Sequence, residues 1–142
     1  MTTDSMEDIR MPNDLVLIMG TNSRDAESIC HIAKEDDFRT VVCSNLNELK
    51  SILNASSCMA AILDIDSVPL DNRTIRRLTL SHPETSFLGT SRERIHPDLQ
   101  EAISNHLFAC LHKPINADEL QYFLKCIHDN ETESRGPPQR SE

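Results

Sequence analysis

Short, continuously apolar runs recur along the chain, with amphipathic segments between them. The runs at 15–19 and 59–63 contain only apolar residues and do not alternate with polar ones. Continuous runs of this length are typical of parallel strands that are buried on both faces of a sheet. In the segments after these runs, apolar residues recur at the spacing of one face of a helix. The pattern therefore predicts strand–helix units that build a parallel sheet between two layers of helices.

Five strands and five helices are predicted, and they alternate along the chain. The strands are expected at 15–19, 40–43, 59–63, 86–89 and 107–111. The helices are expected at 24–35 (N-cap Ser23), about 46–53 (N-cap Ser44 or Asn45), about 75–80, 98–105 and 116–128. Right-handed connections place such helices on both faces of the sheet. The predicted fold is a doubly wound, five-stranded parallel α/β sheet of the flavodoxin-like type.

The length of 142 residues suits one domain with short tails. We expect the domain at 14–129, after a polar tail at 1–13. The segment 130–142 is rich in polar residues, glycine and proline, which indicates a disordered tail or a linker.

Charge and composition exclude several classes of function. The net charge is -9, which disfavours a nucleic-acid surface. Apolar runs are too short to span a membrane, and the polar segment 1–13 does not have the pattern of a secretory signal, so a cytoplasmic protein is expected. Three glycines leave no dinucleotide-binding motif or P-loop. An odd number of cysteines without CxxC spacing indicates buried, reduced thiols; they are Cys30, Cys43, Cys58, Cys110 and Cys126.

Polar side chains stand at the ends of three predicted strands. Asp64 follows the third, Thr90 the fourth and Lys113 the fifth. Carboxyl ends of parallel strands meet at one edge of a sheet, where ligands bind. Alone, the aspartate is explained as a helix cap and the lysine as part of a loop. Together they predict a phosphoryl-accepting carboxylate whose transferring oxygens are neutralised by a lysine, and usually by Mg²⁺.

On these residues the chain resembles the receiver domains of two-component response regulators. The resemblance covers about 14–128 and is carried by 61–64, 87–91, 102–103, 111–114 and 119–120. It implies that Asp64 accepts a phosphoryl group from a histidine kinase. Thr90 then hydrogen-bonds a phosphoryl oxygen, Lys113 pairs with that group, and Pro114 follows in the cis form. The implied role is phosphorelay signal transduction without enzymatic activity beyond self-phosphorylation at Asp64.

The metal pocket of the family is altered in this chain. Gly20 and Thr21 align with the pair of acidic residues that holds Mg²⁺ in receiver domains. Neither residue supplies a hard anionic oxygen, so Asp64 is expected to face the cation almost alone, and Mg²⁺ affinity should fall.

Two further positions depart from the family pattern. Pro69 comes five residues after Asp64, where the family has four, so Asp66 is the fallback acceptor. Cys110 stands three residues before Lys113, at the position of the aromatic switch residue. A small thiol cannot undergo the rotamer change of an aromatic ring, so the usual coupling from threonine to aromatic residue is expected to be missing.

Two main hypotheses remain open. In the first, phosphorylation of Asp64 changes the partner contacts of the face formed by 98–105, the fifth strand and the last helix. In the second, the chain is a pseudo-receiver, a protein-interaction module that works without phosphorylation. A flavin-binding enzyme ranks behind both, because few aromatic residues are available to stack on a flavin. The expected partner is a histidine kinase or another signalling protein, with homodimer formation open and no nucleic acid or membrane.

Overall fold

The computed structural model describes residues 14–67, 70–92 and 106–133. Five strands form one sheet in which every neighbouring pair is parallel, in the order β2-β1-β3-β4-β5. The strands are β1 (Leu15–Met19), β2 (Arg39–Cys43), β3 (Ala60–Asp64), β4 (Ser86–Ser91) and β5 (Ala109–His112). This order is that of flavodoxin-like doubly wound sheets, so the predicted fold class is confirmed.

In these described ranges, four helices connect or follow the strands. They are α1 (Ser23–Glu35), α2 (Leu46–Ala55), α3 (Asn72–Ser81) and α4 (Ala117–Glu133). The helix predicted at 98–105 and the loop residue Pro69 lie outside the described residues. Within the described ranges, no helix combines the length and apolar character needed to cross a bilayer.

Several helix boundaries differ from those predicted, among them the start of α3 at Asn72, the N-cap of α1 and the end of α4. The N-cap of α1 is Asn22 and not Ser23, because the Asn22 side chain accepts a hydrogen bond from the backbone N–H of Asp25 at 3.1 Å. Asparagine and serine cap helices about equally well, so the sequence does not choose between neighbours. The last helix ends at Glu133 and not near His128. Asn130 lies within the helix and does not end it, and the first glycine or proline after the helix is Gly136.

Helices cover both faces of the sheet and bury its central strands. Every residue of β1 and β3 is buried, whereas the edge strand β2 exposes Val41 and Val42. Alternate residues of β1 enter two separate apolar clusters, as expected from the period of two along a strand. One cluster packs against α2 and α3, and the other packs against α1 and α4.

All five cysteines are free thiols. Cys43 and Cys58 are buried in the core, and the other three are partly buried. Burial, together with the smaller effect of the nearby Glu48 carboxylate, raises the pKa of Cys43 to about 11. Burial likewise raises the pKa of Cys58. Because the thiolate is the reactive form, these two side chains stay unreactive near neutral pH.

The register of the sheet aligns the carboxyl ends of its strands. Asp64 pairs with Thr90, and Ser91 pairs with His112. The residues that end β3 and β4 and those that follow β1 and β5 therefore lie along one edge of the sheet, where the site is found.

Candidate functional site

Asp64 ends β3 and is almost fully buried at this edge, with 6% of its surface exposed. Its Oδ1 accepts hydrogen bonds from Lys113 Nζ at 2.8 Å and from the Asp66 backbone N–H at 3.1 Å. Its Oδ2 is buried and has no hydrogen-bond partner among the described residues. Burying an unpaired carboxylate oxygen costs free energy, and among the described residues Asp36 Oδ2 shares this feature, so it is the contact with Lys113 that distinguishes Asp64.

Thr90 lies beside Asp64 on β4 because the two residues are register partners. It is 1% exposed, and its carbonyl accepts a hydrogen bond from the Ile65 N–H at 3.0 Å. Thr90 and Asp64 line a small cavity that Gly20 and Asp25 also border. The threonine is therefore a neighbour of the carboxylate, as the predicted site requires.

Lys113 follows β5 and is fixed through its backbone. Its N–H donates a hydrogen bond to the Ser91 carbonyl at 2.8 Å, and the Lys113–Pro114 peptide bond is cis, the form that the resemblance implies. The side chain is 10% exposed and reaches the Asp64 carboxylate. The structure thus brings together the three strand-end residues that the sequence singles out.

Three carboxylates converge on the ammonium group of Lys113. Besides the contact with Asp64, Nζ lies 3.1 Å from Asp25 Oδ2 and 3.3 Å from Asp66 Oδ2. Burial lowers the pKa of Lys113, but the hydrogen bonds and the charges of Asp64 and Asp25 together outweigh burial and raise the pKa above its ordinary value. The protonated, charged form of the lysine is therefore favoured in this pocket.

Asp25 belongs to the site although the sequence analysis does not single it out. It lies in the first turn of α1, the helix that follows β1. Its position in the sequence could have indicated this, because the start of a helix that follows a parallel strand lies at the carboxyl edge of the sheet. Asp25 thus brings a carboxylate to the pocket from one turn beyond the positions of the missing acidic pair.

Asp66, the fallback acceptor, is held in place by neighbouring donors. The Arg92 backbone N–H donates to its Oδ2 at 2.8 Å, and the Ser91 hydroxyl donates to its Oδ1 at 3.3 Å. Desolvation raises the pKa of Asp66, but the hydrogen bonds from Arg92, Lys113 and Ser91 lower it more, so the net pKa is below its ordinary value. Both carboxylate oxygens of Asp66 are therefore engaged, in contrast to Asp64.

The residues present do not fit Mg²⁺, the ion that the resemblance implies. Mg²⁺ requires a near-octahedral set of hard oxygens at about 2.0–2.1 Å. Among the described residues, no three His, Cys, Asp or Glu side chains are spaced to hold a metal ion. A Cβ at Gly20 would lie 2.9 Å from Asp64 Cβ, so a side chain at this position needs a local shift. The carboxylates that are present converge on Lys113 instead.

We expect Gly20→Asp to destabilise the protein and not to create a magnesium site. The new Cβ clashes with Asp64, and the new charge lies beside an existing carboxylate, so a loss of about 1–3 kcal/mol in unfolding free energy is expected. Urea unfolding measures the loss, and the exposed neighbour Thr21 supplies the control, Thr21→Asp. Equal stability of the two variants, together with Mg²⁺ binding by Gly20→Asp, would contradict this expectation.

Cys110 lies on β5 and packs against the apolar cluster under α2 and α3. Burial raises the pKa of its thiol, and the charge of Asp66 raises it further. Its Sγ is 3.5 Å from the place that a Cβ on Gly89 would occupy. The position of the family's aromatic switch thus holds a small, partly buried thiol.

Solved structures provide the match that sequence comparison does not. No protein-family model and no curated protein sequence matches the chain. A signal receiver domain of an HD domain-containing protein from Pseudomonas fluorescens Pf-5 is similar over 86% of this chain and 99% of its own, at 13% identity and TM-score 0.75.

Two further structures give the same result. A response regulator receiver domain from Bermanella marisrubri covers 81% of this chain and 98% of its own, at 20% identity and TM-score 0.71. The Saccharomyces cerevisiae Ssk1 receiver domain, solved with the histidine phosphotransfer protein Ypd1, is 14% identical over 83% of this chain and 90% of that chain, with TM-score 0.68. The chain therefore has the fold of response-regulator receiver domains.

Proposed function

We propose that the chain is a receiver module in phosphorelay signalling and that Asp64 is its phosphoacceptor. The observation that carries the proposal is the 2.8 Å contact between Asp64 Oδ1 and Lys113 Nζ, beside Thr90, at the carboxyl edge of the sheet. A receiver fold alone hosts more than one function, so the proposal rests on these three side chains.

The proposed donor is a phosphohistidine of a histidine kinase or a histidine phosphotransfer protein. The similarity to a receiver domain that was solved with a histidine phosphotransfer protein supports this class of partner. In the transfer, an Asp64 carboxylate oxygen forms the new O–P bond while the N–P bond of the phosphohistidine breaks. The leaving imidazole nitrogen keeps the electron pair of that bond and takes up a proton from water.

Lys113 and Thr90 would stabilise the transferring group. The Lys113 ammonium lies next to Asp64 and neutralises charge that develops on the phosphoryl oxygens. The Thr90 hydroxyl would donate a hydrogen bond to one of them, since Thr90 is the register partner of Asp64. Cys110 replaces the aromatic switch residue, so we expect the signal to leave the site by another route.

A second candidate function is a protein-interaction module that works without phosphorylation. Two observations favour it: Asp64 Oδ2 is buried, and Gly20 stands where the family has an acidic metal ligand. Phosphorus must approach an Asp64 oxygen in line with the leaving group, so burial of the free oxygen opposes transfer. Three carboxylates around one ammonium also repel a phosphate dianion.

Intact-mass spectrometry separates the two candidates. We expect incubation with acetyl phosphate or phosphoramidate, with and without Mg²⁺, to add the mass of one phosphoryl group to the wild-type protein. Asp64→Asn should abolish the adduct, whereas Asp66→Asn, the matched control, should keep it. If no adduct forms with these donors or with a phosphorylated phosphotransfer protein, the interaction module is the function. An adduct that survives in Asp64→Asn but is lost in Asp66→Asn would identify Asp66 as the acceptor.

A further inference from the structure

We infer that Lys113 is the resident cation of this pocket, that it takes the place of a divalent metal, and that Asp25 is the residue that positions it. The inference goes beyond the proposed function, because it concerns which cation neutralises the carboxylates whether or not Asp64 is phosphorylated. It rests on the disagreement between the residues present and the magnesium site that the resemblance implies.

The number of donors on Lys113 matches the number of carboxylates around it. An ammonium group carries three N–H donors. Three carboxylate oxygens, one each from Asp64, Asp25 and Asp66, lie 2.8, 3.1 and 3.3 Å from Nζ. The contact with Asp64 is a hydrogen bond, and those with Asp25 and Asp66 are within ion-pair distance, so the positive charge at the centre of the cluster is surrounded by three carboxylates.

Asp25 restores part of the negative charge that the missing acidic pair would have supplied. Gly20 and Thr21 contribute no carboxylate, whereas Asp25 approaches from the first turn of α1 and contacts Lys113. The contact joins α1 to the residue that follows β5. Asp25 therefore holds the ammonium between the carboxylates and acts through Lys113.

Displacing Lys113 by a metal ion would break several interactions at once. The ammonium would leave all three carboxylates, while the backbone of Lys113 remains held by its hydrogen bond to the Ser91 carbonyl. The side chain is 10% exposed and has little access to water in its present position. A divalent ion therefore competes with a cation that is covalently part of the site.

Manganese binding tests the inference directly, with Mn²⁺ as a paramagnetic probe and Mg²⁺ as the competitor. The wild-type protein is expected to show no specific Mn²⁺ site. As the side chains lie around the ammonium, the three carboxylates are not spaced for a metal ion. In Lys113→Met they lose their cation and repel one another, so they should turn to a shared Mn²⁺ ion, and the Kd for Mn²⁺ should be at least about tenfold lower than in the wild-type protein. Adding Asp25→Asn to Lys113→Met should reverse the gain. Lys125→Met removes a positive charge from an exposed position on α4 and should leave Mn²⁺ affinity unchanged.

Two results would overturn the inference. One is a specific Mn²⁺ site in the wild-type protein with an affinity equal to that of Lys113→Met. The other is a folded Lys113→Met protein, checked by circular dichroism, that gains no affinity. If Lys113→Met does not fold, the melting temperature of the wild-type protein decides: it should be the same in MgCl₂ as in NaCl of equal ionic strength, and a rise specific to MgCl₂ would refute the inference. None of these readouts requires phosphorylation, so failure of the proposed function leaves the test valid.

Discussion

Replacing Lys113 with methionine is expected to lower the free energy of unfolding by about 3–5 kcal/mol, the usual cost of removing one partner from a buried ion pair. The reason is that Asp64 would remain buried, with 8% of its side chain exposed, and would lose the cation bound to its Oδ1. Asp25 and Asp66 are more exposed and recover part of their hydration, so Asp64 accounts for most of the loss.

Urea unfolding of the two proteins measures this loss, with Lys125→Met as the matched control. Lys125 is exposed, and losing its charge should change the unfolding free energy by less than about 1 kcal/mol. If Lys113→Met lowers the unfolding free energy by as little as the control does, water screens the charges of the cluster. That result would contradict the burial of the salt bridge between Lys113 and Asp64.

The stability difference between the wild-type protein and Lys113→Met should depend on pH. The pKa of Lys113 is raised by its hydrogen bonds to Asp64 and Asp25 in spite of burial, so its contribution is complete below the unfolded value of about 10.4 and is lost as pH rises through the folded pKa. The pKa of Asp66 is lowered in spite of desolvation, so its contribution is complete above about 3.9 and is lost as pH falls through the folded pKa. The stability difference between wild type and Lys113→Met should therefore be largest between these limits.

Truncating Phe87 to alanine is the second large effect that we expect, with a loss of about 3–5 kcal/mol in unfolding free energy. Phe87 lies on β4, is 1% exposed and is among the largest fully buried side chains. It belongs to the cluster beneath α2 and α3 and is the register partner of Ala61. Truncation therefore leaves a cavity that the small side chain of Ala61 cannot fill.

Phe108 provides a control of the same residue type. It is 41% exposed and makes an edge-to-face contact with Phe123 at 6.0 Å between ring centroids. Phe108→Ala should lose the free energy of the aromatic pair, about 0.5–1.5 kcal/mol, and that of its limited burial. The total loss in unfolding free energy should therefore be well below that for Phe87→Ala. Equal losses in the two variants, measured by urea unfolding, would contradict the placement of Phe87 in the core.

The sheet could be predicted from the sequence because its strands are distinguished by local pattern alone. The continuous apolar runs at β1 and β3 indicate burial on both faces, and each observed strand begins and ends within two residues of the prediction. Helix ends were less predictable, since Asn22 and Ser23 are both competent N-caps and only the hydrogen bond to Asp25 distinguishes them. A polar composition after 129 likewise did not reveal that α4 continues to Glu133.

The residues of the site could be predicted in part for a related reason. In a parallel sheet, chain order and strand order determine which strand ends meet, so Asp64, Thr90 and Lys113 follow from strand boundaries. Their placement at one edge of the sheet does not require knowledge of side-chain rotamers. Asp25 was missed because its role depends on the angle at which α1 leaves β1 and on the reach of a side chain across the edge.

The sequence by itself determined the parallel α/β fold and the three polar residues at its carboxyl edge, because both follow from local periodicity and from the order of elements. Only the tertiary structure decided that Asp64 Oδ2 is buried, that a side chain at Gly20 would collide with Asp64, and that Asp25 joins the cluster around Lys113. These features depend on distances between segments far apart in the chain. A hydrophobic pattern records which face of an element is buried, and it does not record which atoms on another element the buried face meets.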